Sequence, residues 1–332
     1  NISNLEQKTH PMIIVTGCNG FIGSNLVVKL NKLGIKDIIG VDDLSKKENL
    51  VNIAHCEIHE LIDIKEFETD YFLNKKKPEE VTHIFHQGAC SDTMERDTEY
   101  MMKNNYSFSK NLLEIAEDHS ISFIYASSAS VYGNGKDFEE KRENENPINL
   151  YAFSKYLFDQ LIRQKIKDNK IQIVGLRYFN VYGPNESHKE HMASVAYHLH
   201  QQLQSGNEVK LFEGSDGYEN GEQRRDFIYV DDVVKVNIWF MKNSGISGIF
   251  NVGTGKSQTF NEVATAVINH NSKGSIKYIP FPEQLIGAYQ SFTEADISKL
   301  REAGYQEDFL DVQSGVKRYL EKLDNWPKNE RQ

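Results

Sequence analysis

The stretch from Met12 to Leu26, MIIVTGCNGFIGSNL, sets an apolar run directly against three glycines spaced three apart, Gly17, Gly20 and Gly23. The apolar run reads as a short buried strand, and FIGSNLVVKLNKLG carries apolar residues at helical spacing until Gly34 stops it. A strand-to-helix turn that excludes side chains at three points is the pattern of a dinucleotide-binding turn. Gly17 permits the tight bend, Gly20 lets a pyrophosphate approach the backbone, and Gly23 lets the helix pack on the strand. The helix N-terminus supplies free N–H groups and a positive dipole end for the anion. Asp42 closes the next strand pattern, DIIGVDD, nineteen residues after Gly23, where a carboxylate reaches a ribose hydroxyl.

Further strand patterns follow at VTHIFHQ, ISFIYASS and IQIVGLRYFN, with helical stretches between them such as Asp97 to His119 and Tyr151 to Lys167. Repeated strand–helix alternation predicts an α/β fold, a doubly wound parallel Rossmann sheet. From about Asn185 the rhythm changes, and the acidic, Gly-rich EGSDGYENGEQRRD reads as a loop. The expected organisation is a tag or disordered extension over 1–11, a dinucleotide-binding domain over 12–184, and a smaller mixed substrate lobe over 185–332. Segments at about 226–256 are expected to return to the first domain.

Composition narrows the classes of function. A formal charge of −10 argues against nucleic acid or an anionic membrane as partner, since both select a cationic surface. No apolar run is long enough to span a bilayer. Cys18, Cys56 and Cys90 are few, odd in number and widely spaced, which suits a reducing, cytoplasmic location better than a disulfide framework or a zinc site. The pairs His83/His86 and His198/His200 lack a third ligand nearby in sequence, so no metal is expected.

A second constellation carries chemistry. Tyr151 and Lys155, in YAFSK, lie one helical turn apart on one face. A cation there favours the phenolate and draws the tyrosine toward the working range of a general base. Upstream, YASSASVYG sets Ser127 and Ser128 at the C-terminal end of an apolar strand, the edge where parallel sheets bind ligands. A serine there donates to a substrate oxygen while the tyrosine moves the proton.

Taken together, the Gly-x-x-Gly-x-x-Gly turn, the Ser-Ser-x-x-Val-Tyr-Gly segment, the Tyr-x-x-x-Lys pair and LRYFNVYGP resemble the extended short-chain dehydrogenase/reductases that act on nucleotide sugars. The likeness runs from Met12 to about Leu323. HQGACSDT, RYFNVYGPNESHKEHMASVAYHL, KLFEGS and YIPFPEQLIGAYQSFTEADISKLREAGY are similar to the branch that epimerises an ADP-activated heptose at carbon six, in the supply of lipopolysaccharide core sugar. This resemblance implies an isomerase in which bound NADP takes hydride from carbon six and returns it to the opposite face. It implies Tyr151, Lys155 and Ser127 as catalytic residues, with Ser128 close enough to share the last role, and Lys189 as a second acid/base.

The same resemblance implies cofactor contacts at Gly17, Gly20, Phe21, Ile22 and Gly23 around the pyrophosphate, and at Asp42, Asp43 and Asn49 around the adenosine ribose. Gln87, Gly88, Ala89, Cys90 and Ser91 are expected in the strand-end loop on the nicotinamide side, with Asn104 or Asn105 in a matching helix, and Val181, Lys155 and Lys189 completing the set. Asn180, His191, His198, Phe212, Glu213, Gly214, Ser215, Arg225 and Tyr289 are implied at the substrate, where Arg225 suits a diphosphate through its planar fork. Several positions depart from the family pattern. Asp43 stands where an amide is usual, Asn49 replaces a lysine, His191 replaces a small serine, and DGYENGEQ lengthens a substrate-side loop. The first two leave NAD as the alternative to NADP. Homo-oligomers are common in the family and are expected here. Other nucleotide-sugar epimerases or dehydratases of the same fold are the alternative reading, and a catalytically silent dinucleotide sensor is a third.

Overall fold

Strand β1 (Met12–Thr16) lies inside the molecule's main sheet, with strands on both sides of it, and every residue of it after Met12 is buried. The computed structural model describes residues 11–78, 80–168, 170–283 and 289–325; of the extension expected over 1–11, residues 1–10 lie outside them. Around β1 the chain lays down β2 (Ile38–Asp42), β3 (Glu60–Asp63), β4 (Val81–His86), β5 (Ser122–Ser128), β6 (Ile173–Tyr178) and β7 (Gly248–Val252). Their spatial order is β7-β6-β5-β4-β1-β2-β3, and every pairing is parallel. Strand β6 is buried at all six positions, as a parallel strand covered on both faces must be.

Helices cover each face. On one side, α1 (Phe21–Lys32) packs Leu26, Val27 and Leu30 against Ile13, Val15 and Phe85. On the other, α2 (Phe108–Asp118) and α3 (Leu150–Lys165) bring Leu112, Phe158 and Ile162 against Ile14, Ile84 and Phe123. The helix expected from Asp97 to His119 is continuous, but its turn from Met102 to Ser107 is π-type. Asp97 caps its start by accepting the Tyr100 N–H at 3.0 Å.

The lobe builds a third core from α4 (Val195–Ser205), α6 (Phe260–Asn271) and α7 (Val312–Asn325) around a parallel strand pair, Glu208–Phe212 with Ser275–Ile279. Between the lobe's segments, α5 (Val230–Lys242) returns to the main sheet and packs Val233, Val236 and Phe240 beside α1, and β7 then extends the sheet past β6. Two short parallel strands, Asn180–Tyr182 and Phe227–Tyr229, join the regions at the carboxyl ends of the sheet.

Candidate active site

At the end of β1 the backbone turns through Gly17 at φ +67°, a conformation that disfavours side chains. A Cβ there would sit 2.6 Å from the Gly88 backbone, and one at Gly23 would sit 2.0 Å from the Gly17 carbonyl oxygen. Two of the three glycines are therefore required by the protein's own backbone. Gly20 caps α1 without any side-chain hydrogen bond, leaving the first-turn N–H groups of Phe21 and Ile22 for an external acceptor. An uncapped helix start beneath a glycine turn fits a dinucleotide pyrophosphate.

Strand β2 delivers Asp42 beside this turn. Its carboxylate accepts the N–H of Asn19 at 2.7 Å and of Asp43 at 2.8 Å, while burial pushes its pKa up against those bonds. Asp43 accepts the Ser45 hydroxyl at 2.6 Å, a bond that holds its pKa below the usual range. Lys46 acts on both carboxylates. Asn49 sits half-buried in the short helix Lys47–Leu50 that follows.

Strand β5 separates the two serines. Ser127 is buried and donates to Asp159 at 2.9 Å, within a network in which fully buried Arg177 binds Asp159 at 2.9 Å and Tyr132 at 3.0 Å and also meets Glu145. Alternate residues of a strand face opposite ways, so Ser128 points to the other side. There its hydroxyl is hydrogen-bonded to Tyr151 and accepts the Ser130 N–H at 3.1 Å. The structure thus corrects the expectation for Ser127, which is committed to the Arg177 network; Ser128 is the serine beside the tyrosine. Tyr132, from the same motif, belongs to that network as well.

Burial raises the Tyr151 phenol, and its bond to Ser128 pulls the pKa back down. Lys155 lies under the site with its ammonium 2.8 Å from the Ala126 carbonyl oxygen and 6.0 Å from the Tyr151 ring centre. Burial lowers its pKa to about 8, although Asp159 opposes the shift. The lysine therefore reaches the phenol across a gap that a ribose hydroxyl or solvent would bridge.

Beneath, Gln87 spends its side chain on Tyr178 at 2.9 Å and Asn237 at 3.2 Å, and the Gly88 N–H donates to Thr16 at 3.2 Å. Ala89 and Ser91 are exposed in this loop, and Cys90 is half-buried. The neighbouring helix holds the loop through Asn105, which accepts the Cys90 N–H at 2.8 Å and donates to the Cys90 carbonyl at 2.9 Å and to Ser154 at 3.0 Å. Asn104 instead returns its amide to the Tyr100 carbonyl at 2.7 Å. Buried His86, whose pKa desolvation lowers to about 3, bridges Thr16 at 2.6 Å and Ser109 at 2.7 Å as a neutral ring. The short histidine spacing in the sequence thus marks a core strut, and among the described residues no group of three His, Cys, Asp or Glu is placed to hold a metal.

The lobe side converges on Arg225. Arg225 is 6% exposed, and its guanidinium lies 4.8 Å from the Tyr289 ring centre and 5.7 Å from that of Phe260. Tyr289 meets Phe281 edge-on at 5.2 Å, and Phe281 meets Phe212 at 5.5 Å. Phe212, Arg225 and Tyr289, far apart in sequence, are thus drawn together. Glu213 and Ser215 are linked through Gln223, which donates to the carbonyl of the first at 3.0 Å and the hydroxyl of the second at 3.2 Å. The Gly214 N–H donates to Asn220 at 2.9 Å, which folds the lengthened loop back on itself. Asn180 accepts the Thr293 hydroxyl at 3.1 Å, and Val181 follows it half-buried. His198 is half-buried on α4, while His191 is exposed.

Lys189 approaches from the segment Ser187–Met192, its ammonium 5.0 Å from the ring centre of Phe21, the residue that opens α1. Burial lowers its pKa, and Glu186 acts in the opposite sense. Sequence reasoning missed Glu186, His188 and Asp226. Asp226 is fully buried and accepts three N–H groups, from Thr254, Gly255 and Ala295, at 2.7 to 3.0 Å, which fixes the strand carrying Arg225. Only its position beside two arginines marked it out.

Known proteins resemble this chain along most of its length. The model of the NAD dependent epimerase/dehydratase family matches residues 13–253. The chain is 52% identical, over 316 residues, to an ADP-L-glycero-D-manno-heptose-6-epimerase of Brachyspira hyodysenteriae, a match covering 94% of this chain and 98% of that protein. A solved ADP-L-glycero-D-manno-heptose-6-epimerase of Helicobacter pylori superposes with a TM-score of 0.82 at 34% identity, covering 95% of this chain and 97% of the other. A UDP-N-acetylglucosamine 4-epimerase from Methanobrevibacter ruminantium superposes with a TM-score of 0.80 at 27% identity, covering 95% and 98%.

Proposed function

The chain belongs to the NAD dependent epimerase/dehydratase family, and from that premise we propose that it inverts carbon six of an ADP-activated heptose, interconverting the D-glycero and L-glycero forms. The carrying observation is the meeting of Ser128, Tyr151 and Lys155 at the carboxyl edge of the sheet, facing a lobe whose Arg225 is stacked between aromatic rings. Similarity to heptose epimerases along 94% of the chain supports the sugar.

A bound nicotinamide would supply reversible hydride transfer at carbon six, which leaves no net redox change. The residues of the chain do the rest. Phe21 and Ile22 hold the pyrophosphate through their N–H groups. Tyr151 takes the proton of the carbon-six hydroxyl, Ser128 donates to that oxygen, and Lys155 keeps positive charge below the phenol. Lys189 serves as the second proton-transfer group, because resetting a stereocentre from two faces benefits from one on each. Arg225 grips the diphosphate. Exposed Phe153 and Ile148, on and just before α3, suit a surface for self-association.

Of the two nicotinamide dinucleotides, the ribose end suits NAD. A 2′-phosphate would meet the carboxylates of Asp42 and Asp43 together, with Lys46 as the nearby cation. The nucleotide released on denaturing the holoprotein tests this, and NADP as the main species would refute it. Proton NMR of ADP-D-glycero-β-D-manno-heptose tests the reaction. Inversion at carbon six without added nicotinamide is expected; unchanged heptose with cofactor bound would redirect the assignment to UDP-, GDP- and dTDP-sugars.

A further inference from the structure

Glu186 is fully buried, yet no lysine or arginine is paired with its carboxylate among the described ion pairs. Three donors of its own loop converge on it instead, and the Tyr319 hydroxyl of α7 also stands against it. One oxygen accepts the Gly183 N–H at 3.3 Å and the Ser194 hydroxyl at 2.6 Å, and the other accepts the Ser194 N–H at 2.7 Å. Gly183 and Ser194 are the two ends of the loop that carries Lys189, so one side chain closes that loop on itself. The Glu186 carbonyl also accepts the Lys189 N–H at 3.0 Å.

The loop departs from easy backbone geometry, with φ of +70° at Asn185 and +48° at Glu190. Such conformations persist where the surroundings over-determine them. The surroundings here are the start of α1. Asn25 donates to the Pro184 carbonyl at 2.9 Å, and Asn185 donates to the Ser24 hydroxyl at 3.1 Å. On the far side His188 lies 3.4 Å from Asn52, which donates to the Asn19 carbonyl of the glycine turn at 2.9 Å.

We propose that Glu186 is a positioning residue for Lys189: its carboxylate ties both ends of the 183–194 loop and so fixes the lysine in its seat against Phe21. The proposal rests on the reading of Lys189 as a proton-transfer group. Only an acceptor-only side chain with two oxygens satisfies this site, because an amide would turn its NH₂ toward an N–H that needs an acceptor.

Substitution Glu186→Gln is expected to lower kcat about 10- to 100-fold, the scale of a misplaced reacting group, with KM little changed because the Arg225 wall is untouched. A second readout follows the seat itself. In the holoprotein, the pH midpoint of Lys189 acylation, read by mass spectrometry, is expected to rise, because the solvent gained by the freed lysine removes the larger influence, burial, and outweighs the loss of the Glu186 charge. The charged or titratable groups about it are Glu186 and His188 of its own loop; α1 presents uncharged Phe21, Ser24 and Asn25, Lys46 and Glu48 act on His188, and Tyr319 of α7 faces Glu186. Should the glutamine variant not fold, Ser194→Ala removes one of the three bonds and is expected to move both readouts the same way, less far. A wild-type kcat and an unmoved midpoint, whatever the melting temperature does, would overturn the proposal. Lys189→Met separates the premise. If that variant keeps the wild-type rate, the proton-transfer role fails, while the acylation midpoint still reports whether Glu186 seats the lysine.

Discussion

The two walls of the cleft are built differently. The cofactor wall comes from the ends of consecutive parallel strands: Gly17 after β1, Asp42 at the end of β2, Gly88 after β4 and Ser128 at the end of β5. The substrate wall is gathered from loops and two-residue strands, with Arg225 held by Asp226's neighbours and Tyr289 arriving from beyond α6. A strand end is placed by a ladder of backbone bonds, so its side chains hold their places through many sequence changes. A loop wall is placed by individual side-chain contacts, and each substitution there alters what the wall accepts. On the proposed function, Ser128, Tyr151 and Lys155 act from the first wall, Lys189 acts from a loop held against α1, and the choice of sugar falls to the second wall.

Replacing Tyr151 with phenylalanine attacks the first wall at its centre. Loss of the proton-transfer group predicts a kcat about 10²- to 10⁴-fold lower, with cofactor content unchanged, read by NMR of the heptose. A rate within a factor of about three of wild type would move the general base elsewhere.

Arg225→Lys tests the second wall. The lysine keeps the charge but loses the planar fork and its stacking on Tyr289 and Phe260. A fall in kcat/KM of about 10- to 100-fold, carried mainly by KM, is expected; a loss confined to kcat would place Arg225 with the chemistry and erase the contrast.

The pH response sharpens it further. Burial lowers the Lys155 pKa from 10.5 to about 8, so between those values the folded protein has shed a proton that the unfolded chain retains. Stability from this group therefore rises with pH across that window, while the rate falls as the positive charge below Tyr151 is lost. Rate and melting temperature moving in the same direction there would contradict this account. In Lys155→Arg, which cannot deprotonate, this alkaline limb should vanish at whatever rate remains.

The smallest effect on rate is expected from Ser127→Ala. Its hydroxyl belongs to the Arg177 network, so stability should fall by about 1 kcal/mol while kcat stays within a factor of about three. Ser128→Ala should reverse that balance, and equal losses of rate in the two variants would undo the division of the serines.

Sequence made the first wall legible because its requirements are local. Three glycines, a carboxylate at a strand end and a tyrosine–lysine pair one turn apart each declare themselves within a few residues. Strands β1, β2, β4, β5 and β6 each showed as an apolar run between helical stretches, while the short β3 (Glu60–Asp63) went unread. What escaped was either directional or long-range. Choosing Ser128 over Ser127 needed the side each residue faces, which turns on a single step of the pleat. Glu186 and Asp226 act by closing loops onto distant N–H groups, and acidic residues in polar loops look alike until those donors are in view.

Strand β7 carries a consequence for how the chain is made. It covers the outer edge of β6, all six residues of which are buried in the finished sheet, yet it lies about seventy residues later in the sequence. During synthesis, β6 therefore leaves the ribosome with one row of hydrogen-bonding groups unmatched. Until Gly248–Val252 emerges, the nascent chain displays an apolar strand edge, the kind of template on which chains pair with one another and for which chaperones compete.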